Sequence, residues 1–136
     1  MAYITRDELI ESFGQHEIER LENNIARNHD PALTENQKAL ITENAIEQAS
    51  NEADSYIATR YNLPLPSVPD QLKRNIGDIA RYILYKDQPT DEVLRRHEMA
   101  VSWLNKLSTG KAILVFPIEP EGDDGQPIAG TGIFVV

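Results

Sequence analysis

Three prolines within ten residues, RYNLPLPSVP at positions 60 to 69, constrain this chain more than any other stretch. Each proline fixes φ near about −65° and removes a backbone donor, and the residue before it is pushed toward extended conformations. Leu63, Pro64, Leu65, Pro66, Val68 and Pro69 therefore form a rigid, non-helical connector. Helix-forming sequence lies on both sides, so the connector sets the angle between two long helices. Arg60, Leu63, Pro64 and Pro66 superficially match a polyproline ligand. The leucines favour burial and a structural use instead.

Helix signals flank this strut. Thr5 and Glu8 form a capping box, Ile4 and Leu9 stand where a hydrophobic staple would, and Gly14 is placed to end a helix over about residues 6 to 13. HEIERLEN adds a turn or two, and NNIARNHDPALTEN reads as a loop. Thr34 with Gln37, or Thr42 further on, opens a long helix reaching about Tyr61, with Ala45, Ile46, Ala49, Ala53, Tyr56, Ile57 and Arg60 recurring at helical spacing. Pro69 suits the start of the next helix, whose stripe is Leu72, Ile76, Ile79, Ala80, Ile83 and Leu84. Thr90 caps the last helix, Gly110 ends it, and its expected core face is Val93, Leu94, His97, Ala100, Val101, Trp103, Leu104 and Leu107. The small residues 45, 49, 53, 77 and 80 predict a close approach of the two long helices.

The expected fold is all-α: a small bundle of four to five helices over residues 1–110, followed by a tail at 111–136. That tail changes character. Ile113, Val115 and Phe116 belong to one apolar run and Ile133, Phe134 and Val135 to another, with Asp124-Gly125 between them. A hairpin is the direct reading, although Pro117 and Pro120 confine one strand to an edge. Because an isolated hairpin is marginal in water, the tail is expected to dock on the helices, pair with another chain or stay disordered alone. The six apolar residues named are the expected subunit contacts.

Composition removes several classes of function. The chain has 136 residues and no cysteine, which suits one domain and excludes a disulfide framework. Its opening lacks a basic start followed by an apolar run, and no stretch approaches a membrane span, so a soluble protein is expected. The net charge of −9 argues against direct nucleic-acid binding. Charge is uneven: residues 1–69 hold twelve acids against five bases, residues 70–111 six against eight, and the last 25 four acids with no base. Such a gradient can orient copies head to tail, though an ordinary solvated surface explains it too.

Chemistry finds little footing. His16-Glu17 and His97-Glu98 each begin an HExxH pattern, but Arg20 and Val101 stand where the second imidazole is needed. Glu119, Glu121, Asp123 and Asp124 lack the ligand spacing of a calcium loop. No nucleophile elbow, P-loop or dinucleotide fingerprint is present. Neither catalytic residues, cofactor nor metal is expected. Asp54, Arg60, Asp78 and Arg81 fall near the inward faces of the two long helices and are expected to form an ion-pair network across the strut, holding the helices in register.

The run ADSYIATRYNLPLPSVPDQLKRNIGDIARYILY, residues 53 to 85, resembles the signature of a small virion protein family of Mu-like phages and prophages. The matching positions are Asp54, Tyr56, Ile57, Ala58, Arg60, Tyr61, Leu63, Pro64, Leu65, Val68, Pro69, Asp78, Ile79, Ala80 and Tyr82. The opening AYITRDELIESFG is similar too, and the resemblance covers about residues 2 to 110. Relatives carry an Asp/Gly-rich stretch where this chain has NNIARNHDPALTEN, and the tail after Gly110 has no match.

The resemblance implies a non-enzymatic virion structural protein, a head-tail connector or adaptor subunit that meets portal or tail proteins and copies of itself in a ring. It further implies weak or no oligomerisation in isolation, no membrane partner, and residence in the host cytoplasm before incorporation at the head-tail junction. A cytosolic assembly factor or small regulatory binding module, absent from the mature particle, is the alternative.

Overall fold

The computed structural model describes residues 1–117, which form five helices: α1 (Arg6–Phe13), α2 (Gln15–Ala26), α3 (Glu35–Ile57), α4 (Asp70–Tyr85) and α5 (Asp91–Thr109). No strand is present among the described residues. The architecture is the expected small all-α bundle. No helix among these residues is long and apolar enough to cross a membrane.

Side-chain caps set most helix starts. Thr5 and Thr34 each accept from the amide three residues on, Glu8 and Gln37 return the bond to the cap amide, and Thr90 accepts from Val93. Gly14, at φ 97°, ends α1 and begins α2 without a break, a backbone geometry that other residues adopt only with strain. Gly110 is left-handed at φ 81° and closes α5.

Helix α2 departs from expectation: it runs 12 residues rather than a turn or two. Ile18, Leu21, Glu22 and Ala26 recur on its buried face, so packing outweighs the weak helix propensity of the exposed Asn23 and Asn24. Helix α3 stops at Ile57, short of Tyr61. The Arg60 and Tyr61 amides both donate to the Ile57 carbonyl, turning the chain into the connector.

The core lies around α4, which packs most extensively on α3 and α5. Ala45, Ala49 and Ala53 of α3 are buried, as are Leu72, Ile76, Ile79 and Ala80 of α4. Alanine at a helix contact lets the axes approach closely, because short side chains set the spacing. Gly77 serves a different contact from the one expected. A Cβ placed there would lie 3.6 Å from Leu9 and 3.7 Å from Phe13, so its bare face receives α1.

The α5 core face is narrower than its periodicity implies. Val93, Ala100, Leu104 and Leu107 are buried, whereas Leu94 is 38% exposed and His97, Val101 and Trp103 are half-buried. The helix lies at the edge of the bundle and packs chiefly on α4 and α3.

Along the connector, Tyr61, Leu65 and Val68 pack on the core, Leu63 is exposed and Pro69 is buried. Pro69 is the cap of α4 rather than its first helical residue. The Asp30–Pro31 and Leu63–Pro64 peptides are cis. Beyond Gly110 the chain bends at Lys111 and Ala112, whose amides donate to the Lys106 carbonyl, and runs without regular secondary structure to Pro117, with Leu114 buried. Ile133, Phe134 and Val135 lie outside the described residues, as does the second half of the expected hairpin.

Candidate functional site

The densest polar grouping surrounds the middle of α4. Arg81, 9% exposed at its side chain, reaches across to α2, where its Nε donates to Glu17 at 2.7 Å and its Nη2 at 3.3 Å. The Tyr85 hydroxyl donates to the same carboxylate at 3.0 Å. Burial pushes the Glu17 pKa upward, yet the hydrogen bonds from Arg81 and Tyr85 outweigh it and hold the group below the ordinary carboxylate value. Glu17 is therefore ionised wherever the protein is folded near neutral pH.

One turn earlier on α4, Asp78 meets a different environment. Its Oδ1 lies 3.1 Å from Arg96 Nε of α5, close enough for an ion pair but not aligned as a hydrogen bond. Burial raises the Asp78 pKa, and the nearby Arg96 and Arg81 offset only part of that. Arg96 also pairs with Glu92 at 3.3 Å, one turn back on its own helix. Both guanidinium groups stand over the Phe13 ring, Arg81 at 4.4 Å and Arg96 at 5.4 Å, which shields them from water while keeping a favourable cation–π contact.

The four residues expected to form a single network across the strut are placed as one adjacent pair and two separate contacts. Asp78 and Arg81 share the α4 cluster. Asp54 instead accepts a hydrogen bond from the Tyr3 hydroxyl, whose pKa is raised by burial and by that carboxylate. Arg60, outside α3 altogether, lays its guanidinium 2.8 Å from where a Gly110 side chain would begin, over the C-terminal end of α5. Premature termination of α3 explains its displacement: beyond Ile57 the helical register no longer directs side chains.

Sequence reasoning missed the partners. Glu17 sits on a helix expected to be only a turn or two long, and no local signal links it to Arg81, 64 positions away. It also missed Glu22, which is 2% exposed, accepts both Arg6 Nε and Nη2 at 2.8 and 2.9 Å, and takes the Thr42 hydroxyl as a further donor. The pairing of Glu92 with Arg96 was missed as well, although their i, i+4 spacing is a local signal that could have found it.

Two of the three histidines make local contacts. His29 Nδ1 lies 2.9 Å from the Pro31 carbonyl, and His97 stacks on Tyr82 with ring centroids 3.8 Å apart. No three His, Asp or Glu side chains converge as metal ligands there. An open groove of about 460 Å³ is lined by Tyr56, His97, Val101 and Ser102, and a second of about 390 Å³ by Glu8, Glu11, Lys73, Arg74 and Arg96. In the second, charges of both signs are interleaved, and Lys73 is held on Glu8 at 3.0 Å.

Residues 3–128 match the family described as "Bacteriophage Mu, Gp36". The chain is 42% identical over 66 residues to "Mu-like prophage FluMu protein gp36" of Haemophilus influenzae, covering 48% of this chain and 47% of that protein. It is 37% identical over 71 residues to "Gene product J" of Escherichia phage Mu, covering 52% and 50%. The aligned region thus spans about half the length of these relatives. With the match running through all five helices, the chain belongs to the Bacteriophage Mu Gp36 family.

Proposed function

We propose that this chain is a non-enzymatic virion structural protein, a connector or adaptor subunit at the head-tail junction. Its partners are portal or tail proteins and copies of itself arranged in a ring, and it passes through the host cytoplasm before incorporation. Membership of a Mu family supports a role in phage biology. The observation that carries the structural reading is how the ionisable groups are used: Arg6 with Glu22, Arg81 with Glu17 and Arg96 with Asp78 each tie one helix to another. Salt links of this kind fix helix placement more than they add stability, which suits a body whose shape is its product.

The net charge of −9 favours protein partners over nucleic acid. Mass spectrometry of purified virions tests the proposal. The expected result is the chain present at ring-like copy number, with a reconstruction of the particle neck placing it beside the portal. Its absence from finished particles would replace the adaptor by a cytosolic assembly factor. Light scattering of the purified chain is expected to show little self-association until portal is added, and a closed dimer indifferent to portal would count against a templated ring.

A further inference from the structure

Where α3 and α5 end, two stretches of chain are tied together. Arg60 lays its guanidinium beside Gly110, the Lys111 amide donates to the Lys106 carbonyl at 2.8 Å, and the Leu114 amide donates to the Tyr61 hydroxyl at 2.9 Å. Leu114 is buried by this arrangement, and its neighbours Ile113 and Val115 are left 60% and 71% exposed. Residues 55–69 and 99–117, which meet here, hold three of the chain's 13 bases, Arg60, Lys106 and Lys111, and none of its 22 acids. Among the described residues none of the three is in an ion pair. One cation suffices to complement the end of α5, whereas three of them around two bare aliphatic side chains make a basic, apolar knob on a chain of net charge −9.

The groove of about 460 Å³ between α3 and α5 has the opposite character. Tyr56 and Val101 give it apolar surface, His97 is stacked on Tyr82 at its side, and Glu98 is the carboxylate in a lining that holds no Lys or Arg. Glu52 stands one turn before Tyr56 on the same face of α3. Among the described residues neither Glu98 nor Glu52 is in an ion pair, and Arg95, one turn before Glu98, does not neutralise it by contact.

We propose that this groove receives the knob of a second copy of the chain, with Ile113 and Val115 on Tyr56 and Val101 and the cations facing Glu98 and Glu52. Charge selects the occupant. Knob against knob sets three cations against three, and like charges brought together in a contact cost several kcal/mol, so a symmetric pairing through this end is disfavoured. Knob in groove joins unlike surfaces. Such a contact is heterologous: each copy keeps one surface of the other kind unused, and the arrangement repeats from copy to copy. The inference rests on the reading that copies of this chain meet, and it names the surfaces they use. Because a contact of this size is weak between free chains, it agrees with the slight self-association expected in solution.

The chain has no native cysteine, so trapping is direct. Full chains carrying Ser102→Cys, in the groove, are mixed at high concentration with full chains carrying Val115→Cys and oxidised mildly, with intact mass as the readout. The mixed disulfide is expected to form about tenfold faster than when Asn23→Cys, exposed on α2, replaces Ser102→Cys. Adding Lys106→Glu and Lys111→Glu to the Val115→Cys chain is expected to slow trapping about tenfold, and Glu98→Lys in the Ser102→Cys chain to restore most of it. Equal trapping at Asn23→Cys, indifference to the charge reversals, or ready closure within a single chain carrying both cysteines would overturn the proposal. The two readings fail separately. A chain found in virions but trapped without preference loses these surfaces and keeps its place in the particle, and a chain trapped as expected but missing from virions does the opposite.

Discussion

Helix α4 is held on one side by methyl groups and on the other by charges, and the two sides work differently. Toward α3, the helix it packs on most extensively, the contact is an apolar seam: Ala45, Ala49 and Ala53 of α3 share one buried core cluster with Leu72, Ile76, Ile79 and Ala80, and its contribution comes from close contact and excluded water. Toward α2 and α5 it presents Arg81 and Asp78, whose partners Glu17 and Arg96 must be met at the right place and orientation. Apolar contact is not directional, whereas the ion pairs require their partners at one place. The contrast teaches a division of labour: apolar contact stabilises the pair, and the ion pairs choose among the ways of packing it.

Removing a charge from the polar side should have the largest effect. Arg81→Ala leaves Glu17 and Asp78 without their shared neighbour and is expected to cost about 3 kcal/mol in denaturant unfolding, since breaking a buried pair strands the remaining charge. Arg81→Met, which retains the packing volume, should lose less only if Glu17 is replaced by Gln as well. Next comes overpacking of the seam. Ala49→Leu is expected to cost about 2 kcal/mol, because Ala49 is fully buried and added methylenes must displace packed neighbours.

The two carboxylates beside α4 should differ in sign with pH. The folded pKa of Glu17 is depressed, so its stabilisation is present above the usual 4.5 and is lost as pH falls through the folded value. Glu17→Gln should therefore be destabilising by about 1 kcal/mol at neutral pH and should converge on the parent in acid. Asp78 has a raised folded pKa, so its contribution is full below the usual 3.8 and is lost as pH rises through the folded value. Asp78→Asn should remove that opposing slope, seen as a smaller fall in stability from acid to neutral pH. Comparing the unfolding free energies of the parent and both variants across this range checks the signs.

The smallest expected change is a gain. Gly77→Ala adds a methyl group at ordinary contact distance from Leu9 and Phe13 and removes a glycine from a helix interior. A stabilisation of about 0.5–1 kcal/mol is expected by thermal melting. A loss instead would show that α1 cannot accommodate the added methyl and that the bare face of α4 is required.

Much of this comparison was open to sequence reasoning, and the reasons for the rest are physical. Thr5, Thr34, Thr90 and Gly110 mark helix ends because caps act within three or four residues. The alanine seam follows from spacing alone. Helix α2 was underestimated since Asn23 and Asn24 speak locally against a helix, while the burial of Leu21 and Glu22 that keeps it helical is a tertiary fact. Asp78 and Arg81 were identified as inward-facing, but their partners were not. Which acid reaches Arg81 depends on α2 lying across α4, and nothing within either helix encodes that. Gly77 was assigned to the wrong neighbour for a related reason: a missing side chain states that something comes close without stating what.

From Ile76 through Arg81, six consecutive residues of α4 are buried, so this stretch has no solvent-facing side at all. A rod enclosed on every side cannot persist once a neighbour melts, because the face left bare would expose both apolar surface and unmatched charge. Loosening any flanking helix should therefore bring down the remainder, and the described body should lose its structure in a single concerted transition instead of peeling away piece by piece.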